Sequence, residues 1–173
     1  DAGNDVTTGV QNTLIGALAG DALTDADRNV AIGTSALGAD TLGSRSTAVG
    51  QGTLQVQNFT TAANSYNTAV GFNAGNLVTT GVQNTLIGGI AGNALTDADF
   101  NTAVGYTALG ADTLGSRSTA IGYAALNAQN FTTAANSYNT AVGSHAGVAV
   151  TTGVQNTLIG ASAGDALTDA DYN

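Results

Sequence analysis

Asn67-Thr68-Ala69-Val70-Gly71 recurs unchanged at Asn101–Gly105 and Asn139–Gly143. Close variants open at Asn12, Asn29, Ser46, Asn84, Ser118 and Asn156, and Asn173 stands where a tenth would begin. Successive starts lie 17, 17, 21, 17, 17, 17, 21, 17 and 17 residues apart, so the text itself repeats every 72 residues. TTGVQNTLIG accordingly begins at Thr7, Thr79 and Thr151, and QNFTTAANSYNTAVG at Gln57 and Gln129. A fixed short period is the signature of stacked supersecondary units, each burying its apolar side against the next. The chain therefore reads as one repeat array over residues 1–173. Super-repeats span 12–83 and 84–155, with a partial one at 156–173, and residues 1–11 close a preceding coil. Asp1 falls in mid-unit and no Met opens the chain, which is the expectation for a segment of a longer protein.

Composition excludes a thick core. The 173 residues include 24 Gly, no Pro, Cys, Met or Trp, and only 5 Tyr and 4 Phe. Glu and Lys are absent too, and Gly and β-branched residues recur too often for helices. Within the pentad, Thr at the second place and Ile or Val at the fourth share one face, because strand side chains alternate. The fourth-place column is Ile15, Ile32, Val49, Val70, Ile87, Val104, Ile121, Val142 and Ile159, β-branched throughout. It suits a packed strand surface and is read as the structural core. The fifth place is always glycine: Gly16, Gly33, Gly50, Gly71, Gly88, Gly105, Gly122, Gly143 and Gly160. A fixed glycine beside a strand marks a bend or a close backbone approach. Three residues on, Ala19, Ala36, Ala74, Ala91, Ala108, Ala125, Ala146 and Ala163 form another small column, broken only by Thr53. The second half of each unit carries Val6, Leu23, Leu42, Val78, Leu95, Leu114, Val150 or Leu167 before polar turn formers. Two short strands and two turns per unit make one coil, and about ten coils of 17–21 residues make an all-β parallel solenoid, or β-roll.

NVAIG at Asn29, STAIG at Ser118 and NTAVGYTAL at Asn101 resemble repeats in the heads of trimeric autotransporter adhesins and in bacteriophage tail fibres. The resemblance covers nearly the whole chain. It implies a left-handed roll, three chains packed as a homotrimer, and a fibre or adhesive stalk at the cell surface or on a virion. Adhesin-head coils are typically shorter, and the regular super-repeat fits a long shaft better than a compact head. On the residues alone, thin Ala/Gly coils bury little apolar area, so lateral association of identical chains supplies the missing core. Open coil ends are strand edges that invite end-to-end filaments.

The two longer units insert four residues in QNFTTAANSY, and insertions in repeats emerge as loops, often on a binding face. Phe59, Tyr66, Phe131 and Tyr138 are thus candidate contacts with a surface receptor or glycan, or else covers for the bulge. LTDAD turns place Asp25 and Asp27, Asp97 and Asp99, and Asp169 and Asp171 close together, with Asp21, Asn93 and Asp165 four residues before each pair. Such oxygen density could hold Ca²⁺, although Asp is equally a turn former and the calcium-roll nonapeptide is missing. No other cofactor is indicated. Arg28 beside Asp27 reads as a local charge pair, and the single His145 stands at an unconstrained position.

Neither a catalytic triad nor a zinc site can be assembled from one His without Cys or Glu, so no enzyme is expected. Net charge −9, with Arg only at positions 28, 45 and 117, excludes nucleic acid. No apolar run is long enough to span a bilayer. Asn58-Phe59-Thr60 and Asn130-Phe131-Thr132 match the N-glycosylation sequon, a coincidence if the source is phage or bacterial. The rival reading from another class is an ice-binding solenoid, suggested by Thr at the second place. Ile or Val two residues on, where a second Thr would be wanted, favours a buried face instead. Composition and pattern together point to a structural filament or fibre shaft.

Overall fold

The period-two alternation of the pentad becomes real strand geometry in the computed structural model, which describes Asp1–Asn173. In chain order the strands are β1 (Thr13–Ile15), β2 (Val30–Ile32), β3 (Gly43–Ser44), β4 (Thr47–Val49), β5 (Ala63–Asn64), β6 (Thr68–Val70) and β7 (Thr85–Ile87). They continue as β8 (Thr102–Val104), β9 (Gly115–Ser116), β10 (Thr119–Ile121), β11 (Ala135–Asn136), β12 (Thr140–Val142) and β13 (Thr157–Ile159). The nine pentad strands form a single parallel sheet in the order β1-β2-β4-β6-β7-β8-β10-β12-β13. Pairing is in strict register: Thr68 opposes Thr85, Ala69 opposes Leu86, and Val70 opposes Ile87. The fold is a β-solenoid of about nine turns without a helix, stacked over about 40 Å at the ordinary inter-strand spacing. The expected count of ten included the partial coils at both ends.

A second strand appears only beside the longer units, where β3 pairs with β5 and β9 with β11. Elsewhere the second half of the coil is turns, yet its backbone still bonds from coil to coil. Thr24 N–H, for example, donates to Thr41 C=O at 3.0 Å, and Thr96 N–H to Thr113 C=O at 3.0 Å.

The interior differs from the sequence reading. Strand centres point inward: Ala31, Ala48, Ala69, Leu86, Ala103, Ala120 and Ala141 are wholly buried. The Ile/Val column read as core lies on the outer side: Ile87 and Ile121 are 39% and 38% exposed within the array, the others there are half-buried, and Ile15 and Ile159 on the two edge strands are exposed further. Since alternation allows only one face inward, burying the third place turns the second and fourth outward.

Core volume is balanced between neighbouring positions. Where the strand centre is Leu, as at Leu14, Leu86 and Leu158, the residue six further on is Gly20, Gly92 or Gly164. Where it is Ala31, Ala48, Ala103 or Ala120, that place holds Leu37, Leu54, Leu109 or Leu126. A Cβ on Gly92 would lie 2.6 Å from Leu86 Cδ2, so leucine and glycine share one space. Native packing density leaves no room for two leucines at that level. Where the coil has neither, at Ala69 with Gly75 and Ala141 with Gly147, leucines of the adjacent coils reach in: Leu54 and Leu86 in the first case, Leu126 and Leu158 in the second.

Leu42 and Leu114 are only half-buried. The core position of their coils, held by Leu23 and Leu95 elsewhere, is taken by Asp40 and Asp112. The pentad's first residue is also interior. Asn29 accepts from Ser46 N–H at 2.8 Å, donates from Nδ2 to Gly43 C=O at 2.9 Å, and donates its own N–H to Asn12 Oδ1 at 2.9 Å. Each Asn of this ladder joins the two ends of its own coil and ties it to the next.

The fifth-place glycines sit where coils touch. A Cβ on Gly105, at φ +133°, would come within 2.4 Å of the Gly122 carbonyl oxygen, and the contact repeats along the column. No helix is long and apolar enough to cross a membrane.

Candidate functional site

The broadest surface the sequence builds is the outer side of the nine-stranded sheet. Its second-place column is Thr in every strand except β2, which has Val30, and its fourth is Ile or Val throughout. Both columns are half-buried or exposed, and neither holds an ionisable group over nine coils of a chain with net charge −9. Fixed strand register turns the two columns into parallel rows of hydroxyls and methyls.

The acidic turns are engaged between coils. Asp27 Oδ1 accepts from Val10 N–H at 2.8 Å, Asp99 from Val82 N–H at 2.8 Å, and Asp171 from Val154 N–H at 2.7 Å. Asp25 accepts from the Thr8 hydroxyl and Asp97 from that of Thr80, while the Asp169 carboxylate receives the Thr168 hydroxyl. No three or more carboxylate or imidazole side chains converge in a way that could hold a metal ion. Of the carboxylates proposed as Ca²⁺ ligands, Asp25, Asp27, Asp97, Asp99 and Asp171 accept hydrogen bonds from the neighbouring coil, while Asp169 accepts one from the residue beside it.

Each longer coil is built around a buried polar cluster. Asp40 Oδ1 accepts backbone N–H groups from Gly43 and Phe59, both at 3.0 Å, and Oδ2 accepts from Gln57 Nε2. Gln57 also reaches Ser46 Oγ at 3.0 Å and accepts from Asn67 Nδ2 at 2.9 Å. The same bonds recur one super-repeat later around Asp112, Gln129, Ser118 and Asn139. Ser46 and Ser118 stand where other coils have Asn, and the shorter side chain leaves space that the glutamine fills. Burial pushes the Asp40 carboxyl above its ordinary 3.8, and the hydrogen bonds from Gln57, Phe59, Gly43 and Thr41 act against the rise. Carboxylate desolvation outweighs these neutral donors.

This cluster divides the candidate contact residues. Phe59 and Phe131 are buried beneath the bulge, and their N–H groups are bound to Asp40 and Asp112. Tyr66 and Tyr138 are half exposed. The phenylalanines therefore cover the core, and only the tyrosines are available for a contact.

Those tyrosines belong to a column the sequence reading did not isolate, the corner residue just before each pentad. It runs Gln11, Arg28, Arg45, Tyr66, Gln83, Phe100, Arg117, Tyr138, Gln155 and Tyr172, all exposed and all at positive φ between 50° and 66°. Arg117 lies 4.7 Å from the Phe100 ring centroid and 5.9 Å from that of Tyr138, and Arg45 lies 5.8 Å from Tyr66. Arg28 Nη1 is 3.8 Å from Asp27 Oδ2, a half-exposed pair of small energetic weight. The signal that could have exposed the column is its restriction to flat-ended side chains at a fixed offset from the pentad. Beyond the other end of the strands, Tyr106 stacks on Tyr123 at 5.9 Å, and His145 meets Tyr123 edge-on at 5.0 Å.

A single shallow recess of about 220 Å³ is lined by Leu18, Asp21, Ser35, Gly38, Ala39 and Gln55. Its polar equipment is one carboxylate, one hydroxyl and one amide, none of which forms a nucleophile–base pair. The chain matches no protein-family model, no curated protein and no solved structure.

Proposed function

We propose that the chain is a rigid structural shaft, extracellular or carried on a virion, that spaces or projects a binding element. In this reading three copies associate laterally as a left-handed homotrimeric roll, as in the adhesin heads and tail fibres its repeats resemble. The observation that carries it is the uncharged Thr and Ile/Val face. Exposed isoleucines in register along a strongly acidic chain mark an association surface, because apolar patches of that extent are rare on monomers. Stacked coils bonded along their whole circumference give the stiffness such a role needs.

The experiment is the native mass by light scattering coupled to size exclusion. Three times the 16.9 kDa chain mass supports the trimer, a large polydisperse mass supports end-to-end filaments, and a clean monomer overturns lateral association.

A second reading is ice binding, favoured by the same face: its threonines stand outward in strict register on a parallel sheet. Thermal hysteresis shown by a monomeric chain would replace the shaft reading with this one.

A further inference from the structure

We propose that the corner column is a binding edge for an extended, neutral β-1,4-linked polysaccharide lying along the solenoid axis. Every member ends in a flat group: amide, guanidinium or aromatic ring. The backbone does not impose this. The opposite corner has the same left-handed conformation yet accepts Leu18, Ser35, Thr107 and Ala124.

Stacking along the column accounts for part of the restriction, since an exposed cation–π contact contributes about 0.5–1 kcal/mol. It does not account for the glutamines. Gln83 and Gln155 are exposed and make no side-chain hydrogen bond within the chain, and Arg45 and Arg117 commit only Nε, to Asn64 and Asn136. Outward-facing amides, guanidinium forks and phenolic hydroxyls remain, one on every rung except that of Phe100. They are the donors and acceptors that pair with vicinal sugar hydroxyls.

Charge selects the kind of polymer. The three arginines are matched by Asp27, Asp99 and Asp171 in the column immediately before, and the whole chain carries −9. A sulfated chain, a uronate chain or a nucleic acid would meet net repulsion. A repeating surface gains most from a repeating ligand, because each further rung binds at high effective concentration. From the fourth rung onward aromatic rings occupy alternate rungs, at Tyr66, Phe100, Tyr138 and Tyr172, hence roughly 9.6 Å apart at two strand spacings. An extended β-1,4 chain presents equivalent sugar faces on alternate rings, so its repeat matches that of the edge.

The test is native affinity electrophoresis through gels containing hydroxyethylcellulose or galactomannan, with dextran and alginate as α-linked and anionic controls. The variant Tyr66→Gln/Phe100→Gln/Tyr138→Gln uses a residue already native to three rungs, which safeguards folding. A second variant, Tyr106→Gln/Tyr123→Gln, alters the other edge.

The expected result is retardation of the wild type by at least one β-1,4 polymer. The corner variant should weaken it at least tenfold with circular dichroism and native mass unchanged, and the second variant should keep it. No retardation by either β-1,4 polymer, retardation by alginate alone, or equal retardation of the corner variant overturns the proposal. A corner variant whose native mass changes while its polymer binding stays intact also overturns it, by assigning the column to contact between copies. The shaft reading is judged by mass alone, so the two can fail separately.

Discussion

Gln57 donates its side-chain amide to the carboxylate of Asp40 at 2.6 Å, and neither residue exposes any surface. A carboxylate thus sits in the core with neutral donors and no cation. Its folded-state value is raised by burial, so the native chain binds a proton more readily than the unfolded one. Linkage then gives the sign: the stabilisation is fully present below about pH 3.8, the unfolded value, and is lost as pH rises through the higher folded value. Asp40→Asn cannot take up that proton. The melting temperature of the variant relative to wild type should therefore fall as pH is lowered from 7 toward 3.5. A constant difference across that range would show that Asp40 does not titrate abnormally.

The shared space between Leu86 and Gly92 predicts a strongly non-additive pair. Leu86→Ala opens a cavity where Leu86 Cδ1 and Cδ2 now fill the levels of Gly75 and Gly92, and should cost about 2–5 kcal/mol. Gly92→Leu alone overfills the same level. Together the two changes recreate the pairing of Ala103 with Leu109, whose φ of 53° shows that leucine adopts the conformation Gly92 has at 55°. The double variant should recover most of the loss in urea unfolding, with a coupling energy of about 1–3 kcal/mol. Simple additivity of the two losses would mean that the levels pack independently.

This pairing also explains what could and could not be read from the chain. Stacked parallel coils follow from the pentad's spacing, because a strand, a glycine and a turn at fixed period leave few other arrangements. Which face turns inward does not follow. Ala69 and Val70 both suit a strand, and Val70 is the more apolar choice. The outcome depends on coil width, set by Leu54 and Leu86 reaching into the level of Gly75 from neighbouring coils, a relation no single coil contains. Asp40 was hidden for a similar reason. Among turn formers it reads as one more turn residue, while Leu42 two places on imitates the core residue it replaces.

The asparagine ladder predicts a second type of interior loss. Asn84 accepts from Asn101 N–H at 2.9 Å and donates to Ala98 C=O at 2.8 Å. Asn84→Ala strands one buried donor and one buried acceptor, each costing about 1–3 kcal/mol when left unpaired. Serine should restore little, since Ser46 and Ser118 serve at this place only with Gln57 and Gln129 beside them. Amide exchange should report the damage locally, with protection at Asn101 N–H lost before that of distant coils. Unchanged protection there would show that water replaces the side chain at no cost.

The outer sheet face yields the prediction that bears most directly on assembly. Ile87 and Ile121 stand near the middle of that face, each a little over one-third exposed in the single chain. Ile87→Asp/Ile121→Asp leaves the coil interior untouched, because both side chains point away from Leu86 and Ala120. A folded chain with an unaltered circular dichroism spectrum is therefore expected. In a lateral trimer the same two changes place six unpaired carboxylates at the contacts, and each buried unpaired charge costs several kcal/mol. Symmetry repeats that penalty in every copy. The native mass should drop from three chains to one, that is to 16.9 kDa. A variant that stays trimeric would move the interface to another side of the coil, leaving the Thr and Ile/Val rows free for the ice-binding reading.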